Sequence, residues 1–389
     1  MVVPRYGTDV IGGAETGARD LAEHLVSMLG WEVEVLTTTA LEATTWDDYF
    51  DAGAEEHQGV TVHRFPIDSG RHPDFARRSN DYFSSPGTPS HEAQLRWVAE
   101  QGPVSGALLD AVASTDADRV VFYPYLYDPT VRGVPLVGNR AVLHAAAHDE
   151  PPIHIPAVAD VFRQVPSLVH HSDAEQRLVA RLFPETIARP QIVLGLGVER
   201  GVATPGAARD LLGPAADDPF LLCLGRVDPV KGVDGLVGYF GEYKRRRPGP
   251  LRLIVTGPVG TAPPSHPEVI VTGAVPEGTK WDLLESAAAL VSPSAHESFS
   301  LVLLESWLAD TPVLANARCE PTRDHCLASR GGVTFADFAD FTAAVDTIVG
   351  RADVAQAMAA AGARYVQDRY TWPALVHRYE RFLTEVAPT

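Results

Sequence analysis

The sequence predicts an α/β protein of two doubly wound units facing across a cleft, and three observations predict it. Short apolar strands alternate with amphipathic helices along nearly the whole chain, the pattern of a parallel sheet covered on both faces. The pattern stops at a Gly-, Pro- and Ala-rich stretch, "GVERGVATPGAARDLLGPAADDP", and then restarts. The length, 389 residues, is enough for two ordinary domains with a sizeable core.

Each element has its own signal. Only "MVV" precedes Pro4 and a glycine loop, so the first central strand is either short or lacks residues upstream. Ala18, Leu21, Ala22, Leu25, Val26 and Leu29 recur at helical spacing, which predicts a helix from Ala14 to Leu29. "WEVEVLTT" and "VTVHRFPI" read as strands, and "RRSNDYFSSPGTPSH" as a long polar loop of the functional kind. "RVVFYPYLY", "AVLHAAAH", "SLVHHS" and "QIVLGLG" read as buried strands, the last two separated by a helix over Asp173 to Leu182.

The Gly/Pro/Ala stretch reads as a linker. Beyond it "FLLCLG", "LRLIVTG", "EVIVTG", "AALVSPS" and "TPVLAN" read as strands. Val233 to Arg246, "TKWDLLESA" and "LVLLESWLA" read as helices, and "YTWPALVHRYERFL" as a strongly amphipathic final one. The expected divisions are 1–200, 201–371 and 372–389, the last a helix crossing back to the N-terminal domain.

Composition bounds the function. The formal net charge of −18 argues against a nucleic-acid partner, which favours a basic face. "KRRR" at Lys244 to Arg247 closes a helix, where cations suit the dipole, so at most a peripheral membrane contact is expected of it. Three cysteines give no disulfide framework. With no spanning run and no signal pattern, the expectation is a cytoplasmic protein. Cys319, His325 and Cys326 cluster in sequence but lack a second ligand pair, so no metal site is assigned.

Three stretches carry chemistry. "RYGTDVIGGAE" places Gly12 and Gly13 before a helix, where backbone can approach an anion closely. "LGRVDPVKG" places Arg226 and Lys231 after a strand, and two cations at a strand's carboxyl end suit a diphosphate. "SAHESFSLVLLESW" sets Glu297 in the loop after a strand and Glu305 inside the next helix. Ser300 is the expected N-cap, and the amides of Leu301 and Val302 are free to hold an anion. Eight residues of helical rise is about 12 Å, so the two carboxylates could hold two polyols with a phosphate between them, the layout of a sugar nucleotide.

Together these stretches resemble the retaining glycosyltransferases of family 4, which have the GT-B fold of two Rossmann-like domains. The resemblance covers nearly the whole chain. It implies a hexose-type donor, a UDP- or GDP-sugar, as substrate, with no bound cofactor and no metal. It also implies a hydroxyl acceptor on a glycan, a lipid-linked saccharide or a small molecule. Arg226 and Lys231 would neutralise the donor diphosphate, Glu297 would take sugar hydroxyls, and Glu305 ribose hydroxyls. Gly13 would face the diphosphate from the other domain, and the stretch around Gly273 would line the base pocket. The family's histidine at the end of an N-domain strand corresponds to His148, with His144 its rival. The chain departs from the family at Ser298 and Ser300, where glycines are frequent.

The one Asp-x-Asp, Asp116 to Asp118, precedes its strand and reads as loop rather than as a metal site. The expected reaction is front-face displacement without metal, catalysed by His148, Glu297, Arg226 and Lys231. A nucleotide-sugar-binding protein without transferase activity is the alternative, as is an epimerase or hydrolase on the same fold.

Overall fold

The computed structural model describes residues 1–10 and 12–386. Ile11, inside the first glycine motif, and the last three residues of the expected final division lie outside them. The chain forms two compact units. One is Met1–Gly197 with the chain from Trp372 onward, and the other is Val198–Thr371.

The first unit holds β1 (Glu34–Thr38), β2 (Gly53–His57), β3 (Val60–Phe65), β4 (Val120–Phe122), β5 (Ala141–His144), β6 (Ser167–His170) and β7 (Gln191–Val193). The short N-terminal stretch is its middle strand. The Val2 amide donates to Val121 O at 2.7 Å and the Leu36 amide to Met1 O at 2.8 Å, so "MVV" joins β1 to β4. From β3 the parallel order runs β3, β1, the Val2 stretch, β4, β5, β6, β7. β2 adds antiparallel to β3. Sequence reading missed β2 because "GAEEH" is polar and almost wholly exposed, so it carries no alternation.

The final helix, Trp372–Glu385, belongs to this unit. Its Trp372, Leu375, Val376 and Tyr379 join Leu21 and Leu25 of the Gly13–Leu29 helix and Val142 and Val169 of the sheet in one buried cluster. His24 stacks flat on Trp372, with ring centroids 4.2 Å apart. Gly197 passes so close that a Cβ there would lie 2.4 Å from the Trp372 ring. The expected long loop is mostly helix. Phe75–Ser84 folds as one because Phe75, Tyr82 and Phe83 pack around Trp97, whose Nε1 donates to Ser79 Oγ at 3.1 Å. Ser90 then caps the next helix, His91–Gln101.

The second unit holds β8 (Phe220–Leu224), β9 (Arg252–Thr256), β10 (Val269–Gly273), β11 (Ala289–Ser292), β12 (Val313–Asn316) and β13 (Gly332–Phe335). All pairings are parallel, and the order is β10-β9-β8-β11-β12-β13. The order reverses between β8 and β11, which makes that junction the topological switch point. Leu221, Leu236, Phe240, Leu253, Val291 and Phe341 are among its core residues.

The expected linker is not a free linker. Residues 207–212 form a helix docked on Glu277–Ser286, with the Ala208 amide donating to Asp282 Oδ2 at 2.7 Å. The Thr204 amide donates to Gly278 O, and Gly201 lies against the Trp281 ring. Small residues there permit close packing, which composition alone cannot separate from looseness.

The basic run is neutralised on the spot. Lys244 is buried and pairs with Glu268 at 3.0 Å, Arg245 and Arg246 pair with Glu242, and Arg247 pairs with Asp346. Among the described residues no helix is long and apolar enough to cross a membrane.

Candidate functional site

The site in the second unit is built at its switch point. β8 ends at Leu224, and the chain turns through Gly225 to Arg226. The Asp228 side chain then accepts the Val230 amide at 2.9 Å and its carbonyl accepts the Lys231 amide at 3.0 Å, which closes a short turn over Pro229–Lys231. Gly232 follows with φ 78°, and a Cβ there would lie 2.6 Å from the carbonyl oxygen of Pro293. Only glycine fits both demands. Its close approach brings the loop after β8 against the loop after β11.

Lys231 and Glu297 meet there: Nζ lies 2.7 Å from Oε1, with both side chains partly open to solvent. The Glu297 loop is fastened from below. Asn316 Nδ2 donates to Pro293 O at 2.9 Å, and Phe299 is buried edge-on to His325 and Tyr370. His325 Nδ1 and Tyr365 Oη are 2.9 Å apart, and burial pushes that imidazole down to about 4. Cys319 and Cys326 lie in the same interior, their thiols pushed up by burial.

Ser300 departs from its expected role. It precedes the Leu301–Leu308 helix, but its backbone is left-handed, with φ 78° and ψ 81°, and its side chain makes no cap bond. Leu301 and Val302, partly buried, open the helix. A left-handed serine is strained where glycine is not. The positive φ therefore explains why a glycine would suit the position.

Glu305 does not join the Lys231–Glu297 pair. It pairs instead with Lys280 on the Glu277–Ser286 helix, Nζ to Oε1 at 2.9 Å. Lys280 also touches Glu277 at 2.7 Å. Burial disfavours its charge, but the two acids outweigh it and hold the ammonium above its ordinary range. Lys280 and Glu277 escaped sequence reasoning because the contact spans two helices and leaves no spacing signal. Arg226 stands more than half exposed, its nearest acid Asp228 at 3.9 Å. Gly273 ends β10, the edge strand, with φ 75°, and its carbonyl accepts the Gly257 amide at 2.9 Å. Beside the Lys231 loop a cavity of 430 Å³ opens, lined among others by Gly232, Tyr239, Pro293, His296 and Arg318.

In the first unit Gly12 caps the Gly13–Leu29 helix. A Cβ on Gly12 would lie 2.2 Å from the Glu15 carboxylate, whereas Gly13 has open space around it. Glu15 lies in the first turn and is paired with Arg5. An acid matched by an arginine therefore already stands by the positive helix end.

His148 follows β5 by four residues, and its Nδ1 lies 3.1 Å from Glu150 Oε1. Glu150 also accepts from Tyr125 Oη at 2.7 Å. His144, the rival, is buried in β5 with Nε2 2.9 Å from Tyr379 Oη, and its ring clusters with those of Tyr123 and His171. Burial drives the His144 imidazole well below its ordinary value and takes His170 to about 4 and His171 to about 3. These three are core side chains.

The loop carrying His148 is held by Glu175. This buried carboxylate accepts the Ala147 amide at 2.7 Å and the His171 amide at 2.6 Å. Burial raises it to about 7 against the pull of those amides. Ala146, just before, is left-handed with φ 52°. The Ser172-x-x-Glu175 pattern was a signal for a helix start, and Ser172 does cap the Asp173–Leu182 helix, but the reach of Glu175 to Ala147 is tertiary.

Residues 218–351 match the family model described as glycosyl transferases group 1. Among curated proteins, the D-inositol 3-phosphate glycosyltransferase of Kineococcus radiotolerans is 30% identical over 201 residues, 46% of each chain. That of Saccharomonospora viridis is 29% identical over 272 residues, 62% of each. The chain spans about half the length of the curated relatives it matches. The fold is similar to the trehalose-6-phosphate synthase OtsA, with TM-score 0.72 and 12% identity over 100% of this chain and 98% of the other. It is also similar to the sucrose-phosphate synthase of Thermosynechococcus elongatus, with TM-score 0.69 and 15% identity over 99% of both. Anabaena HepE, in complex with UDP and glucose, gives TM-score 0.69 and 14% identity over 99% of this chain and 98% of the other. The architecture is thus the GT-B one of two Rossmann-like units.

Proposed function

We propose that the chain, whose residues 218–351 match the group 1 glycosyl transferase model, is a glycosyltransferase that moves a hexose-type sugar from a nucleoside-diphosphate sugar to a hydroxyl acceptor, with retention. One observation carries the reading: the loops after β8 and β11, flanking the switch point, bring the Lys231 ammonium and the Glu297 carboxylate to 2.7 Å. Ligands of open α/β sheets sit outside the carboxyl ends of the strands at that point.

In the proposed step the bond between the anomeric carbon and the diphosphate oxygen breaks, and its electron pair leaves with the diphosphate. The acceptor hydroxyl oxygen bonds to the same face of that carbon, and its proton passes to the departing phosphate oxygen. Arg226 and Lys231 would stabilise the growing negative charge, the type of term that dominates many enzymes. The amides of Leu301 and Val302, opening a helix, would add to them. Glu297 would grip sugar hydroxyls, Glu305 the ribose, and His148 would orient the donor sugar. Gly12 and Gly13 would let backbone near the diphosphate, and Gly273 would border the base.

The test is nucleotide release from UDP- and GDP-sugars, with and without candidate acceptors, by the wild type and Glu297→Ala. Release that acceptors stimulate and that Glu297→Ala abolishes is the expected result. Donor cleavage that no acceptor accelerates would instead mark a hydrolase or epimerase. Binding of nucleotide with no release in either protein would mark a binding protein.

A further inference from the structure

We propose that Lys280 is a positioning residue for Glu305, and that its single-point ammonium contact keeps one edge of that carboxylate open for a ribose diol. The inference rests on the reading above that Glu305 meets the ribose.

The geometry is a chain of four side chains, Trp281, Glu277, Lys280 and Glu305, across two helices. Glu277 receives Trp281 Nε1 at 2.8 Å and Lys280 Nζ at 2.7 Å, and the same Nζ reaches Glu305 Oε1 at 2.9 Å. Trp281 is fully buried, the Gly201 backbone lies against it, and the Lys280 ammonium stands 5.5 Å from its ring centroid. Glu277 is thus tied to the core through Trp281, Lys280 to Glu277, and Glu305 to Lys280.

A carboxylate has two oxygens and about four acceptor positions. A lysine is a point charge and takes one oxygen, whereas an arginine forks onto both. With Oε1 held by Lys280, Oε2 and the outer lone pair of Oε1 are left to accept two neighbouring hydroxyls. The pair is also mostly buried, so losing the lysine would leave Glu305 in a poor solvent with no fixed rotamer. Charge alone would be served equally by arginine, and diol recognition would not. That difference separates positioning from simple support.

The experiment compares binding of UDP and 2′,3′-dideoxy-UDP by calorimetry, with the GDP pair in parallel, for the wild type, Lys280→Met, Lys280→Arg and Glu305→Gln. Hydrogen bonds to a charged group are worth about tenfold in affinity, so the wild type should prefer the ribose form by about that factor. Lys280→Met and Lys280→Arg should both bring the preference to within about twofold while leaving dideoxy affinity unchanged. Retention of the tenfold preference in both variants would overturn the role of Lys280 and leave Glu305 standing. Full rescue by Lys280→Arg would also overturn it, in favour of a charge-only role. A wild type that binds UDP or GDP but shows no preference would overturn the ribose reading of Glu305, and this inference with it.

Discussion

The two units share a strand order yet differ in what stands at the carboxyl ends of their strands. In the first, β5 ends in His144 and β6 in His170 with His171 next, all buried, and the rings of Tyr123, His144 and His171 cluster together. In the second, β8 and β11 lead into loops that hold Arg226, Lys231 and Glu297 within reach of solvent. Burial disfavours charge, so the first set is held neutral, whereas the second set stands partly open to solvent. The same topology therefore yields a packed interior in one place and an electrostatic site in the other. Strand order alone does not assign function; the polarity and exposure of the strand ends do.

The largest test of that contrast removes the exposed charges. Arg226→Ala with Lys231→Met should lower donor turnover by about a thousandfold, on the scale of losing preorganised charge stabilisation. The melting temperature should move little, because Arg226 is open and the Lys231–Glu297 pair is partly so. Turnover within tenfold of wild type would break the contrast.

Acid sensitivity comes next. The His325 imidazole, held near 4, lets the unfolded chain take its proton first as pH falls through 6.5. Its stability contribution is present above pH 6.5 and is lost toward pH 4, by up to about 3 kcal/mol. His325→Gln should make the decline of denaturant-derived stability across that window shallower, the buried His144, His170 and His171 supplying the rest. Glu175 in the first unit has the opposite sign: held near 7, it keeps its proton longer in the folded state. Stability from it falls as pH rises from about 4.5 to 7, so Glu175→Gln should remove that decline. Identical slopes in both variants and the wild type would contradict the burial argument.

Within the first unit, His148 and His144 give a smaller and sharper comparison. His148→Ala should lower turnover about a hundredfold, the low end of the range for a positioned catalytic side chain, and leave stability nearly unchanged. His144→Ala leaves Tyr379 Oη without its partner and opens a space in the core, so it should cost about 2 kcal/mol in chemical denaturation. The reverse pattern would transfer the proposed role to His144. Smallest of all, Ser300→Gly should stabilise the protein by about 1 kcal/mol, because glycine accepts the positive φ that serine resists.

Much of the fold was legible because periodicity is local. The Asp173–Leu182 and Val233–Arg246 helices follow directly from apolar spacing. β2 and β13 lacked a pattern strong enough to read, and the Phe75–Ser84 helix looked like loop because it has no buried residue of its own. Arg226, Lys231 and Glu297 were visible because polar residues following apolar strands stand out in a sequence, and Glu305 because it is an acid inside the apolar helix that comes next. Lys280, Glu277 and Glu175 were not, since each acts by reaching a neighbour on another element.

By itself the sequence determined the alternating strands and helices, the restart of the pattern, and the charged residues that follow its strands. Those features depend on spacing along the chain, which the chain carries with it. Only the tertiary structure decided that Lys231 meets Glu297 while Glu305 turns to Lys280, that the Gly/Pro/Ala stretch docks as a helix, and that His144 is interior while His148 is not. Each of those depends on distance between elements far apart in sequence, and such distances exist only once burial and hydrogen bonding have fixed the packing.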